Sequence, residues 1–296
     1  MVAGTGMNDR GLRLTVVGPV FFEVFLPGRD PWPDPGEERY VEAIPTGFGG
    51  ALNAASVAAA LGVRVTLVHP FGGGPTEWAA RHLMRRLGIR EVRWPCRPDP
   101  FVTLVIPGED RSFLSAGDDG CLGRCPSIPA DPWVLIGGVK EAFRNPGRVR
   151  QVRARGARVC TTGCWSPPDL ERLGALSDVP FDLLVLNRRE AEGATGRTGS
   201  EAVGRLRDRA AREVVVTDGG AGAFGWMEGR EVRVEAVPAA VADLTGAGDA
   251  FTAGLLVGLL RGWPAERALG LAARVAARVV GIRGGCVTDP TLLAGL

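Results

Sequence analysis

The run 243–251, Asp-Leu-Thr-Gly-Ala-Gly-Asp-Ala-Phe, joined directly to the apolar stretch 252–260, holds the residue types and spacing best suited to chemistry. Gly246, Ala247 and Gly248 are small enough for the backbone to curl until several N–H groups point at one spot. The helix that follows adds the unpaired N–H groups and positive dipole end of its first turn. Asp249 falls in that first turn, beside any anion so held. A carboxylate next to a phosphate cradle is placed to accept the proton of a hydroxyl attacking a terminal phosphoryl group. The competing account is an aspartate that only starts a helix after a glycine-rich approach.

Three further segments stand in order before this one: Gly49-Gly50-Ala-Leu-Asn53-Ala-Ala, Leu186-Asn187-Arg-Arg-Glu190-Ala, and Val214-Val-Val-Thr217-Asp-Gly219-Gly-Ala-Gly222-Ala. Together the four resemble the signatures of the ribokinase-like (PfkB) carbohydrate kinases, over roughly residues 12 to 289. The resemblance implies an α/β fold with a central, mostly parallel sheet, helices on both faces and a small β-sheet lid. It implies one kinase domain over 1–296, with lid strands from about 20–45 and 100–115. The implied activity is ATP-dependent phosphorylation of a hydroxyl on a small sugar or nucleoside.

By the same resemblance Asp249 is the general base, and Gly246, Ala247 and Gly248 form the anion hole. Asn187, Thr217, Gly219 and Gly222 lie along the nucleotide, and Glu190 with Asn187 places Mg²⁺ through water. Gly49, Gly50 and Asn53 face the acceptor, and a monovalent cation such as K⁺ sits near Asp243 and Thr245. Two departures bear on the acceptor. Glu23 stands in Pro19-Val-Phe-Phe-Glu23, where many members carry a polar run ending in Asp, so its carboxylate either takes the Asp role or faces solvent. Thr161-Thr-Gly-Cys164-Trp165 replaces a common Asp-Pro-Asn-x-Arg stretch. Phe21, Phe22, Trp165 and Phe113 suit a ring-bearing substrate or ordinary core packing. A catalytically silent sugar- or nucleotide-binding regulatory protein of the same fold is the rival reading.

Composition narrows the classes. At 296 residues and 45% hydrophobic content the chain can bury a large core. A formal charge of +2 argues against nucleic-acid binding through many phosphate contacts. Lys140 is the only lysine and is followed by Glu141, which excludes a Walker A loop. Nucleotide phosphates must then be held by amides, arginine and metal. No apolar run approaches the roughly 20 residues that span a bilayer, and residues 1–10 lack a signal-peptide core, so a cytoplasmic protein is expected. Cys121/Cys125 and Cys160/Cys164 form C-x₃-C pairs, but reduced, packed thiols are expected over zinc or disulfides. His69 follows an apolar strand and His82 lies on an Arg-rich helix, so both read as packing or solvated face.

The elements that must position these residues alternate. Strands are expected at 12–18, 63–68, 133–136, 157–161, 182–186 and 213–217, with helices at 51–61, 76–87, 146–155, 168–176 and 200–211. Such alternation predicts a parallel sheet covered on both faces. Strands at 20–26, 39–44, 101–106 and 111–114, around a 27–36 loop and a 107–110 turn, break it and suit the lid, through which a homodimer is possible. Gly220-Ala-Gly222-Ala-Phe-Gly225 fits G-x-G-x-x-G, yet two short strands around Glu228-Gly229 follow where a dinucleotide fold needs a helix.

Overall fold

The apolar runs become strands and the Ala/Leu-rich stretches become helices in the computed structural model, which describes residues 11–27, 33–96, 101–107, 111–117, 123–178 and 180–296. From the amino end come β1 (Arg13–Val17), β2 (Val20–Phe25), β3 (Thr46–Gly50), α1 (Ala51–Ala60), β4 (Arg64–Phe71), α2 (Pro75–Arg86) and β5 (Arg90–Pro95). Next are β6 (Val102–Ile106), β7 (Ser112–Ala116), β8 (Trp133–Ile136), α3 (Val139–Arg144), α4 (Pro146–Ala154), β9 (Arg158–Thr162) and α5 (Pro167–Gly174). The remainder is β10 (Phe181–Asn187), α6 (Arg188–Thr195), α7 (Gly199–Arg209), β11 (Ala211–Thr217), β12 (Ala223–Met227), β13 (Arg230–Val234), α8 (Ala247–Leu260) and α9 (Ala265–Val279).

The large sheet has the order β13-β12-β11-β10-β9-β8-β1-β4-β5. Every pairing from β11 to β5 is parallel, and the β12–β13 hairpin is added antiparallel at one edge. Strands covered on both faces read as unbroken apolar runs rather than alternating ones, as β8 and β10 do. One buried layer joins the sheet to α1, α2, α8 and α9, and the other joins it to α3 through α7. Helix α8 is apolar all round because α1 and α9 both pack on it. Gly254 and Gly258 let α9 close in, since a Cβ at either would stand 2.9 Å from Ala272 Cα or 2.7 Å from Ala268 Cα. That packing fixes the helix whose first turn carries Asp249.

The second sheet, β3-β2-β6-β7, is the small separate one expected for a lid. Its composition differs from expectation at one strand: 39–44 forms no strand, and β3 at Thr46–Gly50 pairs antiparallel with β2 instead. The physical reason is side-chain room. A Cβ at Gly49 would lie 1.9 Å from Glu23 Oε1, so the glycine-rich run that propensity assigns to a turn is the one that fits beside β2. The β6–β7 hairpin is present; residues 108–110 of its turn and 28–32 of the 27–36 loop lie outside the described residues.

At the dinucleotide-like motif only a three-residue 3₁₀ turn, Gly219–Ala221, precedes β12, so no helix begins there. The chain also forms β5, α3 and α9, which the alternation did not single out. Cys125, Cys160, Cys164 and Cys286 are free, as expected, whereas Cys96 at the end of β5 is disulfide-bonded; Cys121 lies outside the described residues. Among the described residues no helix is long and apolar enough to cross a membrane.

Candidate active site

Helix α8 starts at Gly246, whose left-handed φ of 73° favours glycine, and whose missing Cβ lets Gly285 Cα pass where a methyl would meet it at 2.4 Å. The first-turn N–H groups of an α-helix have no intrahelical acceptor, and no side chain caps these. The Ala247 N–H donates to Leu244 O at 3.2 Å. Those of Gly248 and Asp249 belong to the turn that faces the cavity. This cavity, of about 190 Å³, is lined by Asn187, Glu190, Thr217, Gly246, Ala247, Gly248 and Asp249, together with Gly163 and Thr252. Seven sequence-predicted residues are thus brought together from β10, α6, β11 and α8.

Asp249 opens onto the cavity and is otherwise hemmed in by protein. Burial pushes its carboxyl up to about 6, against the Asn53 Nδ2 donor that reaches Asp249 Oδ2 at 2.9 Å. Asn53 sits in the first turn of α1, whose start at Gly50 is again left-handed, with Pro19 O only 2.4 Å from where a Cβ would be. The buried Asn53 Oδ1 has no hydrogen-bond partner.

Glu23 does not face solvent. It is 5% exposed on β2, its Oε2 is buried without a partner, and its carboxyl is raised to about 7. Burial is the largest cause; the negative charges of Asp249 and Asp243 add to it and Arg111 opposes it. Gly49 therefore makes room for a carboxylate on the neighbouring strand.

Asn187 and Glu190 form a capping box at the start of α6: the Glu190 N–H donates to Asn187 Oδ1 at 2.8 Å and the Asn187 N–H donates to Glu190 Oε2 at 2.9 Å. Burial raises the Glu190 carboxyl above its ordinary range, the Asn187 hydrogen bond opposes this and the Asp249 charge adds to it. Gly163, in the stretch that departs from the expected sequence, leaves Glu190 its place, since a Cβ there would lie 2.1 Å from Oε2. Thr161 is buried and donates to Ile136 O at 3.0 Å, which makes it part of the sheet. Thr217 donates to Leu186 O at 3.4 Å along the cavity wall. Gly219 and Gly222 lie beyond that wall, and Gly222 is required where β13 passes, with Val234 O 2.1 Å from its would-be Cβ.

Asp243 and Thr245 are engaged by a residue the sequence did not single out. The Arg111 guanidinium, just before β7 of the small sheet, donates to Asp243 Oδ1 and Thr245 Oγ1. Asp243 also accepts from Thr245 N–H at 2.9 Å, Thr245 Oγ1 at 2.7 Å and Gly284 N–H at 2.8 Å. Burial alone would raise its carboxyl; the hydrogen bonds from Gly284 and Thr245, with the Arg111 charge, hold it below the ordinary range. A lone arginine 132 residues away carries no local signal. Of the aromatic residues, Phe21 meets Phe101 edge-on at 5.5 Å, Phe22 meets Phe48 at 5.7 Å, and Arg189 stacks on Trp165 at 3.8 Å, while Trp165 and Phe113 are exposed.

An open, mostly parallel α/β sheet with a carboxylate at a helix start among small residues, and a separate four-stranded sheet bringing a second carboxylate and an arginine to it, is an arrangement suited to a small-molecule kinase. Comparison with known proteins agrees. The model of the pfkB family carbohydrate kinases matches residues 149–292. Acarbose 7(IV)-phosphotransferase of an Actinoplanes species is 29% identical, with 79% of this chain and 81% of that protein covered. The sugar kinase YegV of Escherichia coli is 26% identical, with 86% and 84% covered. Arabidopsis thaliana ribokinase, solved with ribose and ATP, superposes with a TM-score of 0.73 at 23% identity over 97% of this chain and 100% of that one. The nucleoside kinase of Methanocaldococcus jannaschii gives 0.76 at 19% identity over 94% of each. The match to the pfkB family of carbohydrate kinases thus lies in the carboxyl-terminal part of the chain, which holds Asn187, Glu190, Thr217 and the Gly246–Asp249 turn.

Proposed function

We propose that the protein transfers the γ-phosphoryl group of ATP to a hydroxyl of a small sugar or nucleoside, with Asp249 as general base. The observation that carries this reading is Asp249 itself: a carboxyl raised to about 6, in the first turn of α8, on the wall of the cavity that also holds the Gly246–Gly248 backbone. A base with a pKa near the operating pH is both ionised and able to take a proton. Asn53 holds Oδ2, which leaves Oδ1 for the substrate. The acceptor oxygen attacks the γ-phosphorus, its proton passes to Asp249, and the bond to the bridging oxygen breaks to release ADP. First-turn N–H groups of α8 offset the charge that develops on the transferred group.

Asn187 and Thr217 lie along the nucleotide in this reading, with Gly219 and Gly222 shaping the turn beside it. Among the described residues no lysine or arginine lines the cavity, and its donors are the hard oxygens that Mg²⁺ takes, so the site fits that ion. Glu190, with Asn187, would hold it through water. When bound, Mg²⁺ neutralises the β- and γ-phosphates. At Asp243 and Thr245, where the family resemblance places K⁺, Arg111 supplies a fixed positive charge, and little K⁺ stimulation is expected.

On the acceptor side, Glu23 Oε2 and Asn53 Oδ1 are buried acceptors without donors, which suits a ligand rich in hydroxyl groups. Gly49 and Gly50 support that side through the room they leave for Glu23 and for the start of α1. The chain works here as one catalytic unit with β2, β3, β6 and β7 as its lid. The exposed Phe113 and Leu114 of β7 offer a surface for a second copy, and use of ATP fits a cytoplasmic location. The test is ADP release against a panel of pentoses, hexoses, oligosaccharides, sugar acids and nucleosides. Turnover with a polyhydroxylated member is expected. Tight ATP binding with no turnover on any of them would favour the silent binding protein instead.

A further inference from the structure

Away from this site, the fold gathers a second set of donor atoms. His69 near the end of β4 is fully buried. Its Nδ1 lies 3.0 Å from Pro70 O. A carbonyl only accepts, so Nδ1 carries a proton, and in the neutral imidazole Nε2 then presents a lone pair. Nε2 is buried with no hydrogen-bond partner, and it points toward Glu91 Oε2 at 3.7 Å. Glu77, in the first turn of α2, brings a third atom, its Oε1, likewise buried without a hydrogen-bond partner. Donor atoms of the three side chains lie within 4.8 Å of one another. His69 Nε2 and Glu77 Oε1 are buried without a hydrogen-bond partner while Glu91 Oε2 accepts from Arg81 at 3.2 Å, so two of the three converging atoms lack the donor that a protein interior normally supplies, and a cation would satisfy them.

We propose that His69, Glu77 and Glu91 form a binding site for a first-row divalent transition ion, Zn²⁺ or Mn²⁺ rather than the all-oxygen-seeking Mg²⁺. The surroundings have the features of an outer shell. The backbone carbonyl of Pro70 fixes the imidazole tautomer, and Arg81 holds Glu91 by contacts of 3.4 and 3.2 Å. Arg93 stands 3.8 Å from Glu77 Oε1. Two arginines and two carboxylates leave the cluster neutral, which sets a moderate affinity. A cavity of about 20 Å³ beside Glu77 and Pro70 is large enough for one water to complete the coordination. Its other walls are Val20, Phe22, Phe48 and Phe101, so the ion would tie α2 to the β4–β5 edge at the root of the lid.

The experiment uses nucleotide-free full-length protein stripped with a chelator, at pH 8, with Zn²⁺ and Mn²⁺ as probes. Bound metal is counted by equilibrium dialysis, and the His69 Nε2 resonance is followed by ¹⁵N NMR. Wild type should bind one ion that Glu77→Gln loses by at least tenfold in affinity, with a Zn²⁺-induced shift of Nε2 in wild type only and turnover kept by the variant. Equal metal binding by wild type and Glu77→Gln, or an Nε2 resonance that does not respond to Zn²⁺, would overturn the proposal. Because Glu77→Gln keeps the side-chain shape, a folding defect is not expected; the wild-type Nε2 response decides the matter if one occurs.

Discussion

At the scale of residues, two carboxyls held above their ordinary range share one site: Asp249 at about 6 and Glu23 at about 7. Each is raised first by burial, so each ionises at a cost to the fold. The sign follows: a carboxyl with a folded pKa above its unfolded one loses stability as pH climbs from the unfolded value through the folded one, and the loss persists above it. Asp249→Asn should therefore melt higher than wild type at pH 8, by on the order of 1–3 kcal/mol, with the gain vanishing near pH 4. Thermal melts across that range check it. With Asp249 as the proposed base, the same shift is expected to set an acid limb on kcat/KM near pH 6. The Asp249 charge is one of the causes that raise Glu23, so Asp249→Asn should let the Glu23 carboxyl titrate at lower pH. A Glu23 titration that is unchanged in that variant, followed by NMR, would uncouple the two carboxyls.

Elements explain why the sequence revealed some of this and hid the rest. Asp249 was legible because a glycine run followed by an apolar stretch is a local statement about a helix start. The capping box at α6 was legible for the same reason. Strand β3 was not, because its glycines are selected by a side chain on β2 rather than by strand propensity. The buried position of Glu23 depends on that pairing, so the sequence left it open between site and solvent. Arg111 was hidden because its partners are 132 residues on, and no local pattern encodes such a contact. Two predictions belong here. Glu190→Gln keeps the capping geometry and removes only charge, so the Mg²⁺ needed for half-maximal rate should rise severalfold while the melting temperature stays within a degree or two. Arg111→Ala should lower turnover and make it K⁺-responsive, where wild type gives equal rates in K⁺ and tetramethylammonium buffers.

For the whole molecule, the two sheets have different duties: the large one fixes α8 and α6, and the small one brings Glu23 and Arg111 to them. A phosphoryl donor beside an open site would be lost to water, so the proposed activity leads us to expect closure of β2, β3, β6 and β7 on acceptor binding. Amides of 20–25, 46–50 and 102–106 should gain hydrogen-exchange protection on addition of the true acceptor, and identical exchange in both states with normal turnover would remove the lid role. Every part of this account converges on proton transfer to Asp249. The most direct test is single-turnover rapid-quench transfer from γ-labelled ATP to the acceptor, comparing wild type with Asp249→Asn at saturating nucleotide. The account predicts transfer slowed roughly 10²–10⁴-fold with ATP affinity nearly unchanged. Transfer by Asp249→Asn at close to the wild-type rate would contradict it.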